Sequence, residues 1–377
     1  MNDFLKEWIR EKKYFDMLQL MAKLSNLFSE SDIPFIHYRV TENLFCKYYD
    51  AENLSRTDTA YDARINNIGV GIKTFQLKND HSTEKIAEFN ALAPTLKILK
   101  KEELAHKLAQ YRNDRMQLAN NLYNIDTPIY HIIGRNRGEL KIFNSPYDFV
   151  DINNIRDIEE NNASLSFYDG KHKYRFNKSK SVLMKDFIAP DKSKIIPVSI
   201  INDPYALLEQ LLNKNINIEN EDIKVDARPK IILPLYSTSA KTNGAKKNIY
   251  GKFVPLKSGL NQWNADGRKR DPNEVYIPYP AQLRKEQPDF FPPRDTPFTL
   301  RLPDGTNISA KVCQENGKAI MSNPNKDLGE WILRKILKLS VNELLTINKL
   351  DSAGFDTLIF YKNAELNYSV DVLYSSK

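Results

Sequence analysis

Apolar residues recur at helical spacing at the start of the chain. Phe4, Leu5, Trp8, Ile9, Phe15, Leu18, Met21, Leu24 and Phe28 predict a long amphipathic helix over residues 2–29. A second, short helix is expected after Thr41. The period then changes: "YDARI" and "GVGIKTFQL" have strand lengths and apolar content, and the Asn66-Asn67 pair between them reads as a turn. Residues 82–123 return to helical spacing in two pieces broken at Pro94, the second with a stripe of Leu104, Leu108, Tyr111, Leu118 and Leu122. "PIYHIIG", "GELKIF", "ASLSFYDGKHKYRF" with its Asp-Gly turn, and "KIIPVSII" predict a sheet, closed by a helix at "PYALLEQLL".

Periodicity stops in "NKNINIENEDIKVDARPK", residues 213–230, a polar stretch that reads as a boundary. The division expected is an α/β (α+β) domain over 1–215, a linker over 216–228 and an all-β domain over 229–377. The last part consists of short strands and turns ("KIILPLYS", "EVYIPYP", "FTLRLPDG", "NISAKVC", "TLIFYK", "NYSVDVLYS") interrupted by one helix, "LGEWILRKIL". That texture belongs to a small barrel.

Composition narrows the classes. The 377 residues are 41% hydrophobic, enough for a core in each of two domains and too apolar for a disordered chain. Lys and Arg outnumber Asp and Glu by 55 to 48, a net charge of +7 that favours a polyanionic partner. No apolar run approaches bilayer length and the first residues are charged throughout, so a cytoplasmic protein without a membrane partner is expected. Cys46 and Cys313 lie far apart without CxxC spacing, which indicates neither a disulfide framework nor a zinc site.

Two loops in the C-terminal part carry the chemistry of a nucleic-acid reader. "SGLNQWNADGRKRDPNEVYIPYP", residues 258–280, offers Arg268, Lys269 and Arg270 for phosphates and guanine edges, and Asn261, Gln262 and Asn273 for adenine edges. "QENGKAIMSNPNKDLGEW", residues 314–331, is of the same character. As a DNA-facing residue Glu274 is out of place unless it accepts from cytosine or fixes an arginine, which makes it the structural member of the set.

The runs "KSGLNQWNADGRKRDPNEVYIPYP", "FFPPRDTPFTLRLPDG" and "GKAIMSNPNKDLGEWILRKI" resemble the DNA-binding domain of NgoFVII- and BfiI-type restriction endonucleases, over roughly residues 229–377. The resemblance implies a pseudobarrel related to the plant B-three domain, with two arms that clasp double-stranded DNA. By carry-over the first arm holds Asn261, Trp263, Arg268, Arg270 and Asn273, and the second Gln314, Lys318, Ser322, Asn323, Asn325 and Lys326. Members of that family often carry a phospholipase-D-like nuclease, which needs a histidine and a lysine two apart. None of His37, His81, His106, His131 and His172 has that neighbour.

A nuclease of another kind is expected in the N-terminal half. Metal-dependent cleavage needs carboxylates to hold Mg²⁺ and a group to orient the attacking water. Asp62 at the start of one strand and Lys73 in its partner resemble the PD-(D/E)XK pattern, although Gly71 stands where the second acid belongs. Glu88, on the helix expected next, is the replacement chosen, so Asp62, Lys73 and Glu88 are the catalytic candidates and Asp62 and Glu88 the Mg²⁺ ligands. Glu84, Glu42 and Asp58 are alternatives. Lys171, Lys173, Arg175, Lys178 and Lys180 form a basic hairpin that suits phosphates or plain solvation.

The expectation is a Type II restriction endonuclease, working as a homodimer beside a cognate DNA methyltransferase that acts on the same site. The alternative is a sequence-specific regulator without catalysis. An RNA enzyme has less support, because the stacking-aromatic signature of common RNA modules is missing.

Overall fold

The computed structural model describes residues 12–55, 59–213, 228–238, 251–265 and 267–375. Contacts divide the chain into two units, residues 1–113 with 125–223, and 114–124 with 224–377. The expected linker lies outside the described residues except for Arg228, as do residues 2–11 of the expected opening helix and Asp58.

The first unit begins with α1 (Lys12–Lys23), α2 (Tyr38–Tyr49), β1 (Glu52–Asn53), β2 (Ala63–Ile65), β3 (Ile68–Gln76) and β4 (His81–Glu88). Next come α3 (Ala93–Lys97), α4 (Lys101–Tyr123), whose residues from 114 on belong to the second unit, β5 (Thr127–Asn136) and β6 (Glu139–Pro146). It continues through β7 (Arg156–Glu160), β8 (Ser164–Tyr168), β9 (Lys173–Asn177), β10 (Val182–Ile188), β11 (Lys194–Pro197) and α5 (Pro204–Asn213).

These strands form two sheets, ordered β1-β2-β3-β5-β6-β11 and β4-β10-β9-β8-β7. In the first, β3 and β5 are parallel and the other pairs are antiparallel. Alternation along β3 sends Ile68, Val70 and Ile72 into a core with Tyr14, Phe15, Leu18 and Phe45 of α1 and α2. The second sheet meets Leu104, Ala105 and Leu108 of α4 through Leu165, Phe167, Tyr174, Phe176 and Leu183.

Three expectations change here. Residues 81–88 form a strand, not the first helical piece, because they pair along their whole length with β10. Helix α2 starts at Tyr38, three residues before Thr41, where His37 caps it by accepting from the Arg39 amide. Strands β1, β7 and β10 were not foreseen. Pro94 lies in the first turn of α3, where its missing N–H costs nothing.

The other face of β3 explains Gly71. Tyr130 and Tyr147 stack there with ring centroids 3.8 Å apart. A Cβ on Gly71 would lie 2.8 Å from the Tyr147 ring and 3.1 Å from Tyr130, so no acidic side chain fits. Nearby, Lys185 is 1% exposed; it donates to Pro146 O at 3.2 Å and lies over the rings of Tyr130 and Phe187. Burial, reinforced by the Arg112 charge, pushes its pKa down to about 8.

The second unit holds β12 (Lys230–Pro234), β13 (Ile277–Pro278), α6 (Ala281–Glu286), β14 (Pro297–Arg301), β15 (Asn307–Cys313) and β16 (Ala319–Ser322). After β16 come α7 (Asp327–Gly329), α8 (Ile347–Ala353), β17 (Thr357–Ala364) and β18 (Asn367–Leu373). The sheet order is β12-β17-β18-β14-β15-β16-β13, and the edge strands β12 and β13 touch, so the sheet nearly closes on itself. The expected helix "LGEWILRKIL" is a short α turn running into a π-helical stretch, Glu330–Ile336.

Two outcomes follow from the packing. Gly71→Glu is expected to lower stability in urea unfolding by more than the roughly 1–3 kcal/mol of ordinary overpacking, because it also buries a charge. Lys185 binds its proton less tightly in the folded than in the unfolded chain, so stability rises with pH above about 8 and gains nothing further above the ordinary lysine value. Lys185→Met is expected to flatten that rise and to add up to about 3 kcal/mol at pH 7, measured by urea unfolding between pH 7 and 10.

Candidate active site and DNA interface

The first candidate site lies at the end of the β2–β3 hairpin. The Asp62 amide donates to Val70 O and the Leu54 amide to Asp62 O, which fixes the backbone just ahead of β2. The Asp62 Oδ2 accepts from the Ile72 amide at 2.7 Å. Burial raises the Asp62 pKa, against the Lys73 charge, that amide bond and Arg39, which lower it. Lys73, half-buried on β3, carries a charge that favours the ionised form of Asp62.

Another acid, Glu42, senses the Asp62 charge. It projects from α2, is 5% exposed, and pairs with Arg39 at 3.0 Å. Its pKa is raised by burial first and by the Asp62 charge second, while Arg39 opposes. The Asp62 charge thus makes Glu42 harder to ionise, which marks a region rich in acid. The donor set of Asp62 and Glu42 therefore fits a divalent cation, which would relieve that repulsion. Among the described residues no group of three or more His, Cys, Asp or Glu side chains is gathered tightly enough to hold a metal without water or substrate.

Glu88 is placed differently from what the sequence suggested. It ends β4, a strand of the other sheet, and bonds to Lys85 at 2.9 Å and to the Asn90 amide. Glu84, on the same strand, accepts from Ser82. Sequence spacing missed Glu42 as first choice because position 42 precedes Asp62 by a helix and a loop. Its one signal was a lone acid on an otherwise mixed helix.

His131 is a core residue: Nε2 meets Tyr14 OH and Nδ1 meets Asn144 Oδ1, both at 2.9 Å, and burial pushes its pKa down to about 4. In the basic hairpin, Lys173 and Arg175 lie exposed on one face of β9, while Lys178 is paired with Glu160.

The second candidate site is the pair of arms. In the first, a 3-10 turn, Gly259–Asn264, is capped by Ser258, which accepts from the Asn261 amide. Asn261 is fully buried; its amide donates to Pro255 O and Leu345 O and accepts from the Leu345 amide, so its side chain is used inside the fold. Trp263 is half-buried and its indole N–H is enclosed without a partner. Asn273 accepts from Arg334 Nε at 2.8 Å, which makes it a brace. Arg270 donates to Ala265 O and Arg268 O and is mostly covered. Arg268 is exposed and bonded to Glu274.

In the second arm Gln314, Lys318, Asn323 and Lys326 are exposed, with Gln314 at φ 66°. Ser322 is buried and caps the following turn by accepting from the Leu328 amide. Asn325 is half-buried and donates to Glu274. A cis peptide joins Asn323 to Pro324. The arms meet at their bases, where Gly329 lies directly against the Asn273 carbonyl and any Cβ there would collide with backbone. The side chains aimed outward are thus Arg268, Lys269, Gln314, Lys318, Asn323 and Lys326.

No curated protein shows a match to the chain. No helix among the described residues is long and apolar enough to cross a membrane. Residues 234–364, which include both arms, match the family model of the NgoFVII C-terminal B3-like DNA-binding domain, so the C-terminal part of the resemblance stands and assigns this region to DNA binding.

Proposed function

We propose that the chain is a Type II restriction endonuclease, in which the N-terminal unit hydrolyses DNA phosphodiester bonds with Mg²⁺ at or near a duplex sequence read by the C-terminal arms. The observation that carries this reading is the buried Asp62, which feels the charge of Lys73 on the partner strand and imposes its own on Glu42 of α2, in a chain that also holds a restriction-enzyme type of DNA-binding domain. Glu42 takes the part that sequence spacing gave to Glu88.

In this reading Asp62 and Glu42 hold the cation. Bound there, Mg²⁺ supplies charge stabilisation to the phosphate oxygens and acidifies a water. The Ile72 amide holds one oxygen of Asp62 and so orients the other. Lys73 sets its ammonium beside Asp62, where it orients the attacking water or neutralises a phosphate oxygen. Cutting both strands calls for two such units, hence a homodimer, and protection of host DNA calls for a methyltransferase on the same site.

The second reading, a regulator without catalysis, draws on Gly71. The stacked tyrosines leave no room for an acid at the position where the PD-(D/E)XK pattern has one.

Digestion of a phage genome with Mg²⁺, and with EDTA, separates the two readings. Discrete metal-dependent fragments with a shared end sequence are expected; intact DNA with Mg²⁺ and Mn²⁺ alike overturns catalysis. Asp62→Asn, Glu42→Gln and Lys73→Ala are each expected to slow cleavage by about 10²-fold or more while binding persists, and Glu88→Gln to leave it near the starting rate. Because burial disfavours the charged form of Asp62, Asp62→Asn is also expected to raise the melting temperature at pH 7. A structural ion pair with Lys73 predicts the reverse.

The arms divide by exposure. Lys318→Ala and Lys326→Ala are each expected to weaken binding to all duplexes and to shallow the salt dependence by roughly one unit of slope. Asn261→Ala, by contrast, strips partners from buried backbone groups and is expected to cost about 1–3 kcal/mol of stability in urea unfolding.

A further inference from the structure

We infer that Glu274 is a positioning residue that locks the two arms into one reading unit, so that the bases under one arm are read in a conformation set by the other. The inference rests on the DNA-reading assignment of the C-terminal domain. Glu274 is fully buried. Its Oε1 accepts from Arg268 Nη2 at 2.5 Å and from Tyr276 OH at 2.9 Å, and its Oε2 accepts from Asn325 Nδ2 at 2.9 Å. Arg270 Nε lies 3.9 Å from Oε1. A single carboxylate therefore holds the first arm through Arg268 and the second through Asn325.

The chemistry of the group makes this more than packing. A carboxylate in a DNA-binding surface repels the polyanion, and a neutral side chain would do so less. What it supplies instead is orientation. An ionised carboxylate only accepts, so the Asn325 amide must turn its nitrogen inward and its Oδ1 away. The Arg268 guanidinium has one amino group against Glu274 and is otherwise 59% exposed, so its plane is set before any base arrives. Paired recognition of guanine needs such a plane, and fixing it in advance lowers the ordering cost on binding. Removing either arm's bond leaves the carboxylate short of a donor and loosens the other arm.

The test uses the full chain in EDTA. A preferred duplex is selected from a randomised pool, and affinities are measured on it and on each single-pair substitution. Arg268→Ala and Asn325→Ala form a double-variant cycle. The double variant is expected to lose at least about fivefold less affinity than the product of the single losses. In the Glu274→Gln background the losses are expected to multiply. Glu274→Gln alone is expected to flatten discrimination under both arms together.

Losses that simply multiply in the wild-type background overturn the proposal, even if Glu274→Gln fails to fold. A lower melting temperature for Glu274→Gln with an unaltered preference overturns it too. A wild-type chain without any sequence preference overturns the DNA-reading assignment, and this inference with it.

Discussion

A carboxylate taken out of water must be answered by donors or by charge, and both halves of this protein are arranged around that requirement. In the second unit the answer is complete: Glu274 has Arg268, Tyr276 and Asn325 around it. In the first unit it is incomplete. Burial raises the pKa of both Asp62 and Glu42, and the Asp62 charge adds to it at Glu42, while Arg39, Lys73, the Ile72 amide and Ser55 offset only part of it, so both hold a proton more tightly than ordinary acids. Well-compensated burial gives a rigid part, whereas burial that raises the pKa of two acids marks a place of electrostatic strain.

The same requirement explains the departures in β3. Its helix-facing side is an ordinary apolar face against α1 and α2. Its opposite side gives up side chains at Gly69 and Gly71 so that Tyr61, Tyr130 and Tyr147 can close over the strand. An acid cannot occupy position 71 in that packing.

Much of this was legible from residue order. The hairpin that carries Asp62 and Lys73 announced itself through its turn and its apolar run, and the arms through their basic and amide side chains. Charge alone singled out Glu274 as the structural member of its loop, to fix an arginine or meet a cytosine, and it is buried with Arg268 and Asn325 as donors. Residues 81–88 were misread because "HSTEKIAE" is polar enough to suit a helix surface, and only pairing with β10, far away in the chain, makes it a strand. Glu42 was ranked low for a similar reason, since the approach of α2 to the hairpin is a tertiary event. Asn261 and Ser322 look like base readers by type, and burial alone shows that their hydrogen bonds are spent on Leu345, Pro255 and Leu328.

Where the arms join, Gly329 sits against the carbonyl of Asn273 with no side chain between them. The gauge of the grip is therefore a property of the main chain. Side chains at the exposed tips of the two loops can therefore change without altering the spacing between their bases.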